Sequence, residues 1–234
     1  MNLIELGNVP ILEQLKLEEG LLRAGKGNYC LLNCGSTPAI IMGISGKPEE
    51  LVFREKQQEQ KLPLIKRYSG GGTVVVDHNT LFVSFIFDKS AHPFHPFPEP
   101  IMRWSEEFYK NALSLKNFAL RENDYVIGKK KFGGNAQYIK KNRWVHHTTF
   151  LWDYCEEKMS ALQLPSRRPE YRANRDHKEF ITKLKDYLPS QEEFFLKIKK
   201  ELQRRYHITS LEPSKISLKE EYRVATTLLD PFVE

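Results

Sequence analysis

The sequence predicts an α+β protein with a mixed or antiparallel sheet flanked by helices. Three observations predict it. Short apolar runs bounded by Gly, Pro or polar residues cluster between residues 29 and 87, as strands do. A longer repeat of helical period interrupts them at Ile101, Trp104, Phe108, Ala112 and Leu115, and strand-like runs resume at residue 124. Strands and helices do not alternate strictly, which argues against the parallel βαβ folds.

Taken in order, the first element is a helix over roughly Ile11 to Leu22, with Ile11, Leu12, Leu15, Leu21 and Leu22 on helical spacing. Strands are expected at Tyr29–Asn33, Ala39–Ile44, Leu64–Arg67, Thr73–Asp77 and Leu81–Phe87. A proline-rich loop, Asp88 to Pro100, leads into the helix from Ile101, with Pro100 suited to its first turn. Asp124–Ile127, Gly134–Ile139 and Trp144–Trp152 read as strands, with Lys140–Arg143 a hairpin connection. The last third reads as helical and charged, and Ser190-Gln191-Glu192-Glu193 is a capping box that opens a helix through Phe194, Ile198 and Leu202.

Composition bounds the function. The 234 residues, 40% of them hydrophobic, suit one catalytic-sized domain spanning 1–234. The net charge of +6 fits nucleic acid, an anionic cofactor or an acidic protein. Nucleic acid is disfavoured, because the basic residues scatter over 47–66, 129–141 and 197–205 without interleaved aromatics on one strand face. Cys30, Cys34 and Cys155 are too few and too irregular for a disulfide framework. No stretch suits a membrane span or a signal peptide, and Glu5, Glu13, Glu18 and Glu19 argue against a transit peptide; a cytoplasmic, reduced protein is expected.

Two segments carry chemistry. Lys66-Arg67-Tyr68-Ser69-Gly70-Gly71-Gly72-Thr73 lies between two expected strands. Three glycines in a row cost chain entropy, so they are kept where the backbone takes positive φ or approaches something closely. Such a turn can aim several N–H groups at an anion, and Arg67 can clamp a phosphate or carboxylate. A flexible hairpin tip explains the glycines equally well, and neither common nucleotide motif, G-x-x-x-x-G-K-[ST] or G-x-G-x-x-G, is present. The second segment runs from Gly128 through Lys129, Lys130 and Lys131 to Gln137, followed by His146-His147-Thr148-Thr149-Phe150-Leu151. Adjacent histidines on a strand face opposite ways, so at most one shares a site with a given group. A zinc site using His92 and His95 lacks partner cysteines. A serine hydrolase is weaker still, since Ser69 is not in a G-x-S-x-G elbow.

Together these segments resemble the lipoate–protein ligase A family, of the biotin/lipoate protein ligase superfamily. The resemblance runs from about residue 8 to 155. It rests on an ordered set: Glu18-Glu19-Gly20-Leu21-Leu22-Arg23; Pro38 through Gly43; Lys66 through Asp77, similar to R-[RK]-x-[ST]-G-G-G-x-V-x-x-D; Asn123-Asp124 with Lys131 through Ala136; and His147 through Leu151, similar to H-G-T-L-L. Val76 stands where the family has His, and Thr148 where it has Gly.

The resemblance implies a biotin/lipoate ligase-like catalytic domain and an ATP-dependent attachment of lipoate, through lipoyl-adenylate, to a lysine of an acceptor lipoyl domain. It implies ATP, Mg²⁺ and lipoate as ligands. Lys131 would be the catalytic residue, its ammonium holding the acyl oxygen and the α-phosphate in turn. Arg67 would clamp phosphate, Gly70, Gly71 and Gly72 would lie against the adenylate, and Thr73, Val74 and Val75 would line the site. Asn79 would lie near the nucleotide. Ser69, Gly134, Asn135, Ala136, His147 and Thr149 complete the implied binding set. The implied partner is a 2-oxoacid dehydrogenase acyltransferase subunit or a glycine-cleavage carrier protein. Set beside family members that carry a large C-terminal accessory domain, the chain is expected to be a single catalytic domain without one, and a separate accessory chain is one way to supply it. The rivals are an octanoyl or lipoyl transferase acting without ATP, which needs a reactive thiol near the lysine, and a non-catalytic module that binds a lipoyl domain.

Overall fold

Two sheets share the fold, and the site lies where they face each other. The computed structural model describes residues 1–164, 169–218 and 222–230. In chain order the regular elements begin with β1 (Asn2–Glu5), α1 (Ile11–Ala24), β2 (Tyr29–Cys34) and β3 (Ala39–Met42). Two short helices, α2 (Pro48–Leu51) and α3 (Arg54–Glu59), lead to β4 (Leu64–Lys66), β5 (Val74–Val76) and β6 (Thr80–Asp88). Then come α4 (Pro98–Leu113), β7 (Phe118–Arg121), β8 (Asp124–Ile127), β9 (Lys130–Ile139) and β10 (Arg143–Leu151). The remainder comprises α5 (Glu156–Met159), α6 (His177–Phe180), α7 (Gln191–Arg205), β11 (Thr209–Ser210) and β12 (Thr227–Asp230).

The large sheet has the order β11-β1-β2-β6-β10-β9-β8-β7, and the small one β12-β4-β3-β5. Both are mixed: β1 runs parallel to β2 and β11, and β3 parallel to β4, while the other pairs are antiparallel. The expected mixed α+β architecture is therefore present. Strand β6 is central, and Thr80 through Phe87 are all buried. Its apolar run, broken by Ser84, reflects cover on both faces. Phe85 and Phe87 pack with Trp104 and Phe108 of α4 and with Phe194 and Ile198 of α7. Phe82 and Ile86 pack on the opposite face with Ile11 and Leu15 of α1 and with Ile41 and Ile65 of the small sheet.

Three expectations are corrected. Helix α4 starts at Pro98, its first helical position, rather than at Ile101, which shortens the preceding loop. Strand β9 begins at Lys130, so Lys130 and Lys131 of the lysine run belong to a strand. Among the described residues the last third holds one long helix: α7 opens as expected, with the Ser190 hydroxyl accepting from Glu193 N at 3.2 Å, but α5 and α6 are single turns and β11 and β12 are strands. Tertiary pairing creates β12, which is a four-residue edge strand with no internal alternation to announce it.

Candidate functional site

The glycine turn connects β4 to β5. Arg67, 6% exposed, folds back beneath it: Nε donates to Ser69 Oγ and Gly70 O, both at 3.1 Å, and Nη2 donates to Gly70 O at 2.6 Å and Gly72 O at 2.9 Å. Burial lowers this guanidinium to about 10, with Tyr68 and Glu18 pulling it back up. Arg67 thus holds the loop carbonyls, leaving the loop's other side open. Gly71 has φ of +96°, and a Cβ there would meet Arg67 Nη2 at 2.7 Å and Ala136 Cβ at 3.2 Å, so glycine is required. Gly70 and Gly72 are different: a Cβ on either would enter open space, and both line a cavity between the sheets. Next to them Thr73 carries a buried hydroxyl that, among the described residues, has no hydrogen-bond partner. A buried donor of this kind calls for a ligand or water.

Lys131 comes to the same cavity through a fault in strand pairing. Along β8–β9, Asp124 pairs with Gly134 and Tyr125 with Gly133, but Val126 pairs with Lys131, so Phe132 is an extra residue on β9. Strict alternation would place residues 131 and 134 on opposite faces. The bulge resets the parity. Phe132 stays in the core, against Phe118 and Phe150, and Lys131 comes round beside Gly134, where a Cβ would meet its Nζ at 3.1 Å. The ammonium pairs with Asp124 Oδ1 at 2.7 Å, and Tyr171 donates to Asp124 Oδ2 at 2.8 Å. The backbone of Thr182 donates to Lys131 O at 2.8 Å, docking the segment after α6 over the lysine.

Beneath the glycine turn runs a buried chain of hydrogen bonds. Glu18, fully buried on α1, accepts from Gln14 at 2.7 Å, Ser84 at 2.6 Å and Tyr68 at 3.2 Å, and lies 2.8 Å from His147 Nδ1. Burial raises its carboxyl, but the His147 charge and the bonds from His147, Ser84 and Gln14 outweigh this and leave it below the ordinary value. With Glu18 ionised, the hydrogen-bond pattern assigns the Nδ1 proton to His147. His147 Nε2 lies 2.8 Å from the Ser69 hydroxyl, and Ser69 Oγ accepts from Arg67. The Ser–His–Glu line resembles a hydrolase triad, but Ser69 is fully buried and lies off the cavity wall, so it has no access to a substrate. Its effect is to tie helix, histidine and loop together.

His146 points to the other face, as adjacent strand residues must. It contacts the Tyr125 hydroxyl at 3.0 Å and Thr148 Oγ1 at 3.3 Å. Burial, with a smaller push from His147, lowers it to about 3, so it is neutral in the folded protein. The sign of the linkage follows. A proton taken up by the unfolded chain alone removes stability as pH falls below the ordinary 6.5 toward about 3, by up to about 1.4 kcal/mol per pH unit. Urea unfolding across this range is expected to show that slope, and His146→Gln is expected to flatten it. An unchanged slope would show that this histidine is not held neutral.

The cavity measures about 650 Å³, within the range of small-molecule sites. It is lined by Arg67, Gly70, Gly71, Gly72, Thr73, Val74, Val75, Lys131, Gly134, Asn135, Ala136, His147 and Thr149 of the expected set. An apolar part is formed by Ile11, Leu15, Ile41 and Phe82. Two expected residues lie off its wall: Ser69, and Asn79, whose carbonyl accepts from Trp152 N and Asp153 N at the β5–β6 turn. Glu18, Asp124 and Arg172 line the cavity without having been singled out as site residues. Glu18 and Asp124 stood in the motifs, but their partners come from distant segments. None of the three cysteines lines it: Cys30 is core, Cys34 donates to Gln191 at 3.0 Å, and Cys155 borders a separate small pocket. Among the described residues no three His, Cys, Asp or Glu side chains could hold a metal, and no helix is long and apolar enough to cross a membrane. His92 bonds to the Tyr206 hydroxyl at 2.8 Å within an aromatic cluster instead.

The family model of the lipoyl protein ligase A/B catalytic domain matches residues 10–203. The chain belongs to this family. Among its curated relatives, the inactive lipoate–protein ligase 2 of Plasmodium falciparum is 30% identical over 245 residues, covering 78% of this chain and 62% of the relative. The lipoate-protein ligase LplJ of Bacillus subtilis is 27% identical, covering 64% and 45%. The chain thus spans about half to three-fifths of the length of these relatives. A lipoate-protein ligase A solved with bound ATP superposes with a TM-score of 0.74 at 20% identity, covering 90% of this chain and 87% of the other. A bipartite lipoate protein ligase of Thermoplasma acidophilum, from a study that includes its E2 lipoyl domain, gives 0.74 at 21%, covering 90% and 85%. At these identities the structural likeness concerns the ligase-family fold.

Proposed function

We propose that this chain activates lipoate with ATP and transfers the lipoyl group to a lysine of a lipoyl-domain protein. One observation carries the reading: the fixed Lys131 ammonium and the open glycine wall converge on one cavity that also has an apolar part. In the first step a lipoate carboxylate oxygen attacks the α-phosphorus of ATP and pyrophosphate leaves. In the second the acceptor ε-amine attacks the acyl carbon, AMP leaves with the bonding pair, and the amine gives up a proton. Both steps place negative charge on oxygens near one point, which a preorganised ammonium stabilises. Asp124 and Tyr171 aim that ammonium, Gly70 and Gly72 give the nucleotide close access to backbone, and the Thr73 hydroxyl supplies a donor. Ile11, Leu15, Ile41 and Phe82 suit the lipoyl tail. Magnesium would arrive on phosphate oxygens with the nucleotide.

The acceptor is proposed as an acyltransferase subunit of a 2-oxoacid dehydrogenase or a glycine-cleavage carrier protein. This rests on family membership and on the Thermoplasma neighbour studied with its lipoyl domain. A thioester route without ATP is disfavoured by the absence of a thiol from the cavity wall. Cys34→Ser and Cys155→Ser are accordingly expected to leave modification unchanged, and loss of transfer in either would revive that route. A non-catalytic module that binds a lipoyl domain is favoured by one observation, the name of the 30% identical relative.

Purified protein, lipoate, Mg²⁺ and an apo lipoyl domain, with and without ATP, beside a mixture with preformed lipoyl-adenylate in place of lipoate and ATP, distinguish these readings by intact mass. Addition of a lipoyl group only with ATP supports the ligase. Addition only from preformed lipoyl-adenylate assigns activation to another chain. Binding of the domain without any addition overturns the enzymatic reading.

A further inference from the structure

Two adjacent carboxylates of α1 hold different things. Glu18 holds His147, and Glu19, also fully buried, holds residues 225 and 226. Its oxygens accept from Ala225 N at 2.8 Å, Thr226 N at 2.9 Å, the Thr226 hydroxyl at 2.9 Å and Arg23 Nε at 2.7 Å. Thr226 leads directly into β12, where Thr227 pairs with Lys66 and Leu228 with Ile65 of β4. Strand β4 in turn runs into Arg67, which holds the glycine turn. These terminal residues lie outside the stretch 10–203 matched by the family.

We propose that residues 222–230 form a clasp that sets the glycine turn, with Glu19 as the positioning residue that locks it. The nucleotide-facing wall of this chain is then completed by a segment beyond the family's domain. The physical basis is the buried carboxylate. A desolvated charge is tolerated when its lone pairs are filled, and three of the four donors to Glu19 come from residues 225 and 226. Release of the segment leaves the carboxylate with Arg23 alone and strips β4 of its outer neighbour. The strain falls on the helical turn that also carries Glu18, and on the strand entering the glycine turn, so both supports of the loop loosen together.

The inference rests on reading the glycine turn as the nucleotide wall, so the test has one arm independent of turnover. Amide hydrogen exchange is measured on the full chain for the wild type, Glu19→Gln and Thr226→Val, beside steady-state kinetics in ATP and in lipoate. Exchange at residues 65–73 is expected to quicken about tenfold with that at 222–230, while α4 and α7 stay protected. The KM for ATP is expected to rise several-fold, with kcat and the KM for lipoate retained. Unchanged exchange at 65–73 overturns the clasp, and so does faster exchange with an unchanged KM for ATP. Should Glu19→Gln fail to fold, Thr226→Val, which removes one hydroxyl bond, decides. Should the wild type show no ligase turnover, the ligase reading falls and the exchange arm alone decides the clasp.

Discussion

Lys131→Ala is expected to lower lipoyl transfer by about 10²–10³-fold while leaving the protein folded. The reasoning starts from placement. The ammonium is the cation that β9 presents beside Gly134, and Asp124, itself capped by Tyr171, holds its direction. A charge fixed before the reaction needs no reorganisation as the oxyanion and phosphate charges develop, which is why its removal is costly. The Asp124 carboxyl loses a partner in the variant, so some stability is lost as well, and a melting curve should accompany the assay. Lys131→Arg keeps the charge but spreads it over a planar fork, and is expected to recover little activity. Pyrophosphate release reports the first step and intact mass the second. A folded Lys131→Ala protein with wild-type rates in both would refute the role assigned.

Gly71→Ala and Gly72→Ala are expected to fail in different ways. Alanine at 71 must take φ near +96° and push against the Arg67 guanidinium, so a destabilisation of about 1–3 kcal/mol is expected, visible in urea unfolding. Alanine at 72 meets nothing in the folded protein and is expected to leave stability within about 0.5 kcal/mol. Its methyl group points into space the nucleotide is proposed to occupy, where about 1–3 kcal/mol of lost binding corresponds to roughly ten- to two-hundred-fold weaker ATP affinity. Calorimetric titration with ATP checks this. If Gly72→Ala binds ATP as the wild type does, the nucleotide does not lie on that wall.

Much of this architecture could be read from the residues. Helix α1, the strands around the glycine turn and the Ser190 cap announce themselves through period, flanking glycines or side-chain capping. The meeting of residues 67–75 with 131–136 and 147–149 was legible only as an ordered set of motifs, because no local signal says that a turn at 70 faces a strand at 131. What stayed hidden is what depends on partners far away in the chain. Glu18 has the pattern of an ordinary helical glutamate until Ser84, Tyr68 and His147 close around it. Asp124 acquires its part from Lys131 and Tyr171, and Glu19 from residues some two hundred positions later. Short strands such as β1 and β12 carry too few residues for period to show, and form because a neighbouring edge accepts them.

The extra residue on β9 makes the placement of Lys131, the lysine proposed to carry the reaction, a matter of register as much as of composition. Lys130 precedes it directly, has the same chemistry and pairs with Ile127, yet it is aimed at the opposite side of the sheet and is absent from the cavity wall. A relative that keeps the lysine run but straightens the strand would retain every charge, motif letter and fold contact a comparison might score, and still hold its ammonium away from the substrate. Inheritance of activity in such proteins is then a matter of where one phenylalanine is squeezed in, which a count of matching letters does not see.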